Sequence, residues 1–253
     1  MKIACVYSNS VKAKNLFQNL STKYSFVEPK DADILLCLGG DGFLLHTMHK
    51  YIDFNIPIYG INCGSVGFLL NKYDVEENLL EIIKQSKTVD INPLEAIFTN
   101  NKGKTESNFA FNEVSILRNT SSTSHLAISI DGLEKMSKLI GDGVLVATPS
   151  GSTSYNRACG GNLISINSDL LVLTPINPFS PLGWRGVTLS NQHTLEIKVL
   201  SNLKRTVNIC CDFKEFIDIS NIKIKLAKHK KISLLFNKNN DLESKILQTQ
   251  FSK

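Results

Sequence analysis

The sequence predicts two domains in series, a parallel α/β domain followed by a β-rich one, and three observations predict it. Short apolar runs alternate with helical patterns over the first third of the chain. Helical periodicity nearly vanishes after Pro93. The glycines gather in two clusters, each close behind an expected strand. With 253 residues the chain is long enough to bury a substantial core, and 42% hydrophobic against 20% charged residues excludes a disordered or collagen-like protein.

In order along the chain, Ile3–Tyr7 and Ile34–Leu38 read as buried strands, Phe43–Ile52 as a helix and Ile56–Ile61 as another strand. Asp74 opens a further helix, with Glu77 completing a capping box and Val75, Leu79, Ile82 and Ile83 as its apolar stripe. Strand, helix, strand in sequence implies a parallel sheet. Beyond Pro93, residues 94–99, 109–118, 126–130, 144–148, 195–200, 206–211 and 222–226 are strand-like, and Asp131-Gly132 is a hairpin turn. Leu133, Met136 and Leu139 recur every third residue and fit neither a helix nor a strand. The expected boundaries are 1–92 for the α/β domain and 93–236 for the β-rich domain. In the tail, 237–253, a helix with Leu242, Ile246, Leu247 and Phe251 on one side is expected to pack back onto the body or onto a second subunit.

Met1–Tyr7 breaks at Ser8-Asn9-Ser10 and reads as a first strand and not a signal peptide, and no apolar run reaches the roughly 18 residues of a membrane span, so a cytoplasmic protein without a membrane partner is expected. Six cysteines, none in a C-x-x-C pair or at zinc-ligand spacing from histidine, predict reduced thiols. The net charge of +5 is unevenly placed: residues 1–220 carry 20 basic and 21 acidic side chains, residues 221–253 carry 8 and 2. Lys223 and Lys225 alternate with Ile222, Ile224 and Leu226, the pattern of the wet side of a strand, so no nucleic-acid partner is expected.

Of 15 glycines, six lie in 39–67 and five in 141–161. In the first cluster, Gly39-Gly40-Asp41-Gly42 joins a strand to a helix, where free N–H groups and the helix N-terminus can hold phosphate oxygens. Asp41 is discordant there. A carboxylate repels phosphates unless it holds Mg²⁺ or takes a proton from an attacking hydroxyl; the plainer alternative is a helix cap. The pattern is neither G-x-G-x-x-G nor a P-loop. In the second cluster, Gly141-Asp142-Gly143 leads through a strand to a loop with hydroxyls at 148, 150 and 152–155, closed by Gly160-Gly161. Such donors suit sugar hydroxyls, phosphates and an adenine edge. Asn112-Glu113 interrupts a strand-like run and needs polar partners, which ribose or an internal network would supply.

These blocks, in order and spacing, resemble the NAD kinase family: Gly39-Gly40-Asp41-Gly42, then Gly60-Ile61-Asn62-x-Gly64-x-x-Gly67-Phe68-Leu69, Asn112-Glu113, Gly141-Asp142-Gly143 to Tyr155, and Gly160-Gly161. The resemblance implies an N-terminal Rossmann-like α/β domain, a β-rich C-terminal domain and an active site between them. It implies transfer of the terminal phosphoryl group of ATP, or of polyphosphate, to the 2′-hydroxyl of the adenosine ribose of NAD, with Mg²⁺ held mainly by the ATP phosphates. On the matched positions, Asp41 is the proton acceptor, Gly42 lies against the dinucleotide and His46 stands near phosphate. Asn112 and Glu113 match ribose contacts and Asp142 a nicotinamide-side contact. Ser150 and Thr153, Ser154, Tyr155, Asn156, Arg157 and Ala158 match the wall around adenine and ribose, and Asn177 a further binding position. Family members are usually homodimers or homotetramers. The chain departs from the pattern at Ile140, where many members carry Arg, and at Asp212-Phe213-Lys214, where Asp-Gly-Gln is common. In the segment 177–186 it has Trp184. Two other readings stand beside this one: a lipid kinase of the diacylglycerol or sphingosine type, which shares the first block, and a dinucleotide-binding sensor without catalysis.

Overall fold

A computed structural model describes residues 1–64, 67–201, 203–239 and 245. The chain divides into two units, Met1–Ile91 with Lys230–Lys253, and Asn92–His229.

In the first unit the strands β1 (Ile3–Tyr7), β2 (Ile34–Gly39) and β3 (Ile58–Asn62) alternate with the helices α1 (Val11–Lys23) and α2 (Asp41–Tyr51), and α3 (Leu79–Lys84) precedes β4 (Lys87–Ile91). β1, β2 and β3 pair in parallel. The strand Ile232–Phe236 extends this sheet parallel to β3, and β4 closes the edge antiparallel to it. Every residue of β2 is buried, the signature of a strand covered on both faces. Leu36 and Leu38 join Ala13 and Leu20 of α1 and Leu79 and Ile83 of α3 in one cluster, while the Cys37 thiol reaches Thr47 of α2 at 3.5 Å.

Two expectations are corrected here, and one helix is added. Residues 230–236, expected in the β-rich domain, belong to the first unit, where Ile232–Phe236 forms the strand between β3 and β4: a buried apolar run pairs wherever an open ladder is left, and no local pattern names that ladder. The helix expected from Asp74 begins at Leu79, because Asn78 takes the cap, accepting from the N–H groups of Leu80 and Glu81, while Asp74 closes a turn on the Glu76 N–H. α1, which has only a narrow apolar stripe in a polar run, was not anticipated by periodicity; Ser10 caps it by accepting the Ala13 N–H at 3.2 Å. The helix expected around Leu242 to Phe251 lies outside the described residues.

The second unit contains β5 (Leu94–Asn100), β6 (Thr105–Ala110), β7 (Glu113–Arg118), β8 (Ser124–Ile130), β9 (Leu133–Gly141), β10 (Gly143–Ala147), the short helix α4 (Tyr155–Ala158), β11 (Leu170–Ile176), β12 (Val187–Ser190), β13 (Leu195–Val199), β14 (Val207–Cys211) and β15 (Lys214–Leu226). All its pairings are antiparallel, in the order β12-β11-β10-β7-β14-β15-β13-β8-β9, with β5 on β15 and β6 on β5. The inward residues of these strands form one core. Asp131 and Gly132, both with positive φ, make the expected hairpin turn between β8 and β9. The ambiguous three-residue recurrence from Leu133 is strand β9, whose alternation is broken by two register shifts against β8. Ile222 and Ile224 of β15 are buried, and Lys223 and Lys225 point outward to Glu196 and Glu95 at 3.1 and 3.2 Å. The run expected as one strand over 109–118 divides at Phe111-Asn112, where β6 ends and the chain turns into β7. All six cysteines are free thiols, and among the described residues no helix is long and apolar enough to cross a membrane.

Candidate active site

In the first unit the β2–α2 turn sets the scene. Gly40 is the N-cap residue of α2 with extended backbone angles, and Asp41 is the first helical residue. Its carboxylate does not cap the helix. It turns instead to the loop behind β3, where Oδ2 accepts the Phe68 N–H at 2.9 Å and Oδ1 the Leu69 N–H at 3.2 Å. That loop is held from below. Asn62 accepts the Gly64 N–H, and Asn71 donates to the carbonyls of Gly60 and Leu235 at 3.1 and 2.8 Å. Gly60 leaves room for Leu70, whose Cδ2 lies 2.4 Å from where a Cβ would stand. Burial raises the Asp41 carboxyl above the ordinary carboxylate range, and the two N–H groups and the Lys245 ammonium oppose that rise. A Cβ at Gly40 or at Gly42 would meet nothing within 4 Å, so the backbone on either side of Asp41 faces open space.

In the second unit the corner Phe111-Asn112-Glu113 is pinned by Asp212. One carboxylate oxygen accepts the Phe111 N–H at 2.7 Å, and the other accepts those of Asn112 and Glu113 at 2.9 and 3.2 Å. From the other side, Thr148 and Ser150 donate to the Phe111 carbonyl at 2.5 and 2.8 Å. Gly151 packs on Asn112 so closely that a Cβ would come within 2.0 Å of its carbonyl oxygen. Glu113 is buried, with Oε2 lacking a hydrogen-bond partner. Burial, then the neighbouring Asp212 charge, push its carboxyl up to about 7.

Residues 4–87 match the ATP-NAD kinase N-terminal domain and residues 111–226 the ATP-NAD kinase C-terminal domain. The NAD kinases of Rickettsia bellii and Rickettsia felis are each 41% identical over 250 residues, spanning 99% of this chain and 98% of theirs. The chain belongs to the NAD kinase family. It is accordingly an ATP-dependent NAD kinase, and neither the lipid kinase nor the sensor reading has support. The same fold is seen in yeast NADH kinase complexed with NADH, with a TM-score of 0.80 at 20% identity over all of this chain and 88% of that one. It is seen again in an NAD kinase from Archaeoglobus fulgidus in complex with ATP, with a TM-score of 0.78 at 23% identity over 98% and 99%.

Against this background the positions singled out by the NAD kinase resemblance fall into two kinds. Gly42 and His46 are exposed on α2, the helix that Asp41 opens. Thr153 and Tyr155 are half-buried, and Ser154, Arg157 and Ala158 are exposed around the start of α4. Asp142 and Asn177, 35 residues apart, meet: Asn177 donates to Oδ2 at 2.9 Å and Arg118 to Oδ1 at 2.5 Å, holding the Asp142 carboxyl below its usual range. Asn156, by contrast, is fully buried, its amide donating to the carbonyls of Ser152 and Asn162 and accepting from Thr174. Ser150 is likewise spent on the Phe111 carbonyl. The glycines of the second cluster serve close packing as well: a Cβ at Gly143 would lie 1.9 Å from the Ile116 carbonyl oxygen. Sequence reasoning missed Arg118 and the clamp role of Asp212, and it read the Thr148 hydroxyl as a ligand donor where the fold spends it on the Phe111 carbonyl, since hydrogen bonds between distant segments leave no local pattern.

Glu113 carries a pH prediction. Below about pH 4.5, its ordinary value, the group is protonated whether the chain is folded or not; between there and about 7 only the unfolded chain ionises, so this residue makes stability fall as pH rises. Thermal melts should show Glu113→Gln more stable than the parent by several degrees at pH 8, with the gain gone at pH 4. A gain that is equal at both values would refute the assignment.

Proposed function

We propose that Asp41 is the general base of the NAD kinase reaction. The 2′-oxygen of the adenosine ribose forms a bond to the terminal phosphorus of ATP, or of polyphosphate as an alternative donor. The bond from that phosphorus to the bridging oxygen breaks, ADP (or the polyphosphate shortened by one phosphate) leaves, and the hydroxyl proton passes to the Asp41 carboxylate. The observation that carries this is the aim of Asp41: a half-buried carboxylate at a helix start that declines to cap, held by two loop N–H groups with open space at Gly40 and Gly42. Phosphoryl transfer asks little covalent chemistry of a protein, so the remaining groups position the substrates and balance charge. We assign Gly42 to backbone contact with the dinucleotide and the exposed His46 to phosphate. Asn112 and Glu113 go to ribose hydroxyls, for which the partnerless Glu113 oxygen is suited. Asp142, steered by Arg118 and Asn177, goes to the nicotinamide side, and Thr153, Ser154, Tyr155, Arg157 and Ala158 to adenine and ribose. Ser150 and Asn156 hold that wall in place from behind.

Mg²⁺ fits as a cation carried by the ATP phosphates: among the described residues no three His, Cys, Asp or Glu side chains converge as a protein cage would, and each Asp41 oxygen already accepts one N–H. Bound there it would neutralise phosphate charge. A cytoplasmic homodimer or homotetramer is part of the reading, the exposed Phe179, Leu182 and Ile217 offering apolar surface.

Incubation with NAD, ATP and Mg²⁺, read by an NADP-specific dehydrogenase, tests the activity. Asn112→Ala and Tyr155→Ala should each weaken NAD binding by about tenfold in a calorimetric titration, a loss of roughly 1.4 kcal/mol. Unchanged affinity in both would remove these residues from the dinucleotide site.

A further inference from the structure

The loop that orients Asp41 is gripped from its other side by a lysine. Lys245 Nζ donates to the carbonyls of Gly67, Phe68 and Leu70 at 3.3, 3.4 and 2.9 Å. Two of these carbonyls belong to the same peptide groups whose N–H bonds reach Asp41. The Gly67–Phe68 peptide gives its oxygen to Lys245 and its N–H to Oδ2; the Phe68–Leu69 peptide gives its oxygen to Lys245 and its N–H to Oδ1. A trans peptide is planar with C=O and N–H pointing opposite ways, so fixing one end aims the other. A cation on the carbonyl also polarises the unit and strengthens the N–H as a donor.

We propose that Lys245 is a positioning residue for catalysis, acting through these two peptide groups to aim and ionise the Asp41 carboxylate. The inference rests on the reading of Asp41 as general base. Half-buried Lys245 would be cheaper elsewhere: burial disfavours its charge, and the charge is kept by Asp41 against the opposing influence of Lys72. Burial disfavours the Asp41 charge in turn, and Lys245 is the charged side chain that opposes it. Removing the ammonium therefore leaves Asp41 protonated to higher pH, and a base that must be ionised works only above that point.

The test uses the full chain with NAD, ATP and Mg²⁺. Lys245→Met should lower kcat at pH 7 by about tenfold to a hundredfold while the Kd for NAD stays within about threefold, and should move the acid limb of the pH profile of kcat/KM upward. Lys245→Arg should recover most of both. Glu113, whose carboxyl is pushed up to about 7, belongs to the other unit and is common to all variants, so the difference between profiles reports the change at Asp41. Should Lys245→Met fail to fold by circular dichroism, Lys245→Gln keeps a donor without the charge and should shift the acid limb alike. An acid limb at its original pH, with only a lower melting temperature, would overturn the proposal. If Asp41→Asn is inactive and that limb still does not move, this inference alone falls; if Asp41→Asn is active, the general-base reading falls.

Discussion

Replacing Asp41 by asparagine is expected to cut NADP formation by a factor of about 10² to 10⁴ while NAD affinity changes by no more than about fivefold. The amide is close in shape and retains one oxygen, so one of the two bonds from Phe68 and Leu69 survives and the loop has a reason to stay. What is lost is the capacity to accept a proton at the moment the sugar oxygen attacks. A ground-state contact would behave differently: KM would rise and kcat would hold. Steady-state kinetics with saturating ATP separates the two. Turnover within a few-fold of the parent would show that Asp41 only touches the sugar, and the chemistry would have to be assigned elsewhere.

Asp212→Ala should cause a large loss of stability in the second unit. Three backbone N–H groups at the corner from Phe111 to Glu113 would lose a charged acceptor together, and hydrogen bonds to charged groups are worth about 1.5–3 kcal/mol each. A loss of roughly 3 kcal/mol or more in denaturant unfolding is expected, with NAD affinity falling by about tenfold because Asn112 and Glu113 are no longer held in place. Asp212→Asn should be milder and informative in another way. It removes the like charge that helps raise Glu113, so the Glu113 carboxyl should titrate below about 7, its remaining elevation coming from burial. Carboxyl-carbon chemical shifts across a pH series would follow it. Parent-like stability and affinity in Asp212→Ala would mean that the three bonds carry no energy in solution.

Much of the candidate site is legible in the chain because the residues concerned stand next to one another. Gly39 to Gly42, Asn112-Glu113 and the hydroxyl-rich loop from Thr148 to Tyr155 are contiguous, and a turn that must leave backbone open to a ligand is written as glycine wherever it occurs. The discord of Asp41 within such a turn is likewise visible without coordinates. What stays hidden is reciprocal. Asn156 looks like a ligand group by position, yet its amide is consumed within the fold by Ser152, Asn162 and Thr174. Asp212 sits in a segment that departs from the family pattern, yet pins a corner about a hundred residues away.

The order of burial and polarity along the chain determined by itself that a parallel α/β unit precedes an antiparallel one, since a strand buried on both faces and a strand wetted on one have different residue periods. It also determined where backbone would be left bare. Which ladder the run from Ile232 to Phe236 joins, which face of the Phe68 and Leu69 peptides meets a carboxylate and which a lysine, and whether an amide serves a ligand or the chain, were decided by the tertiary structure. The reason is physical: residue type sets what a group can bond, but only packing sets which of many equivalent partners is within three ångströms of it.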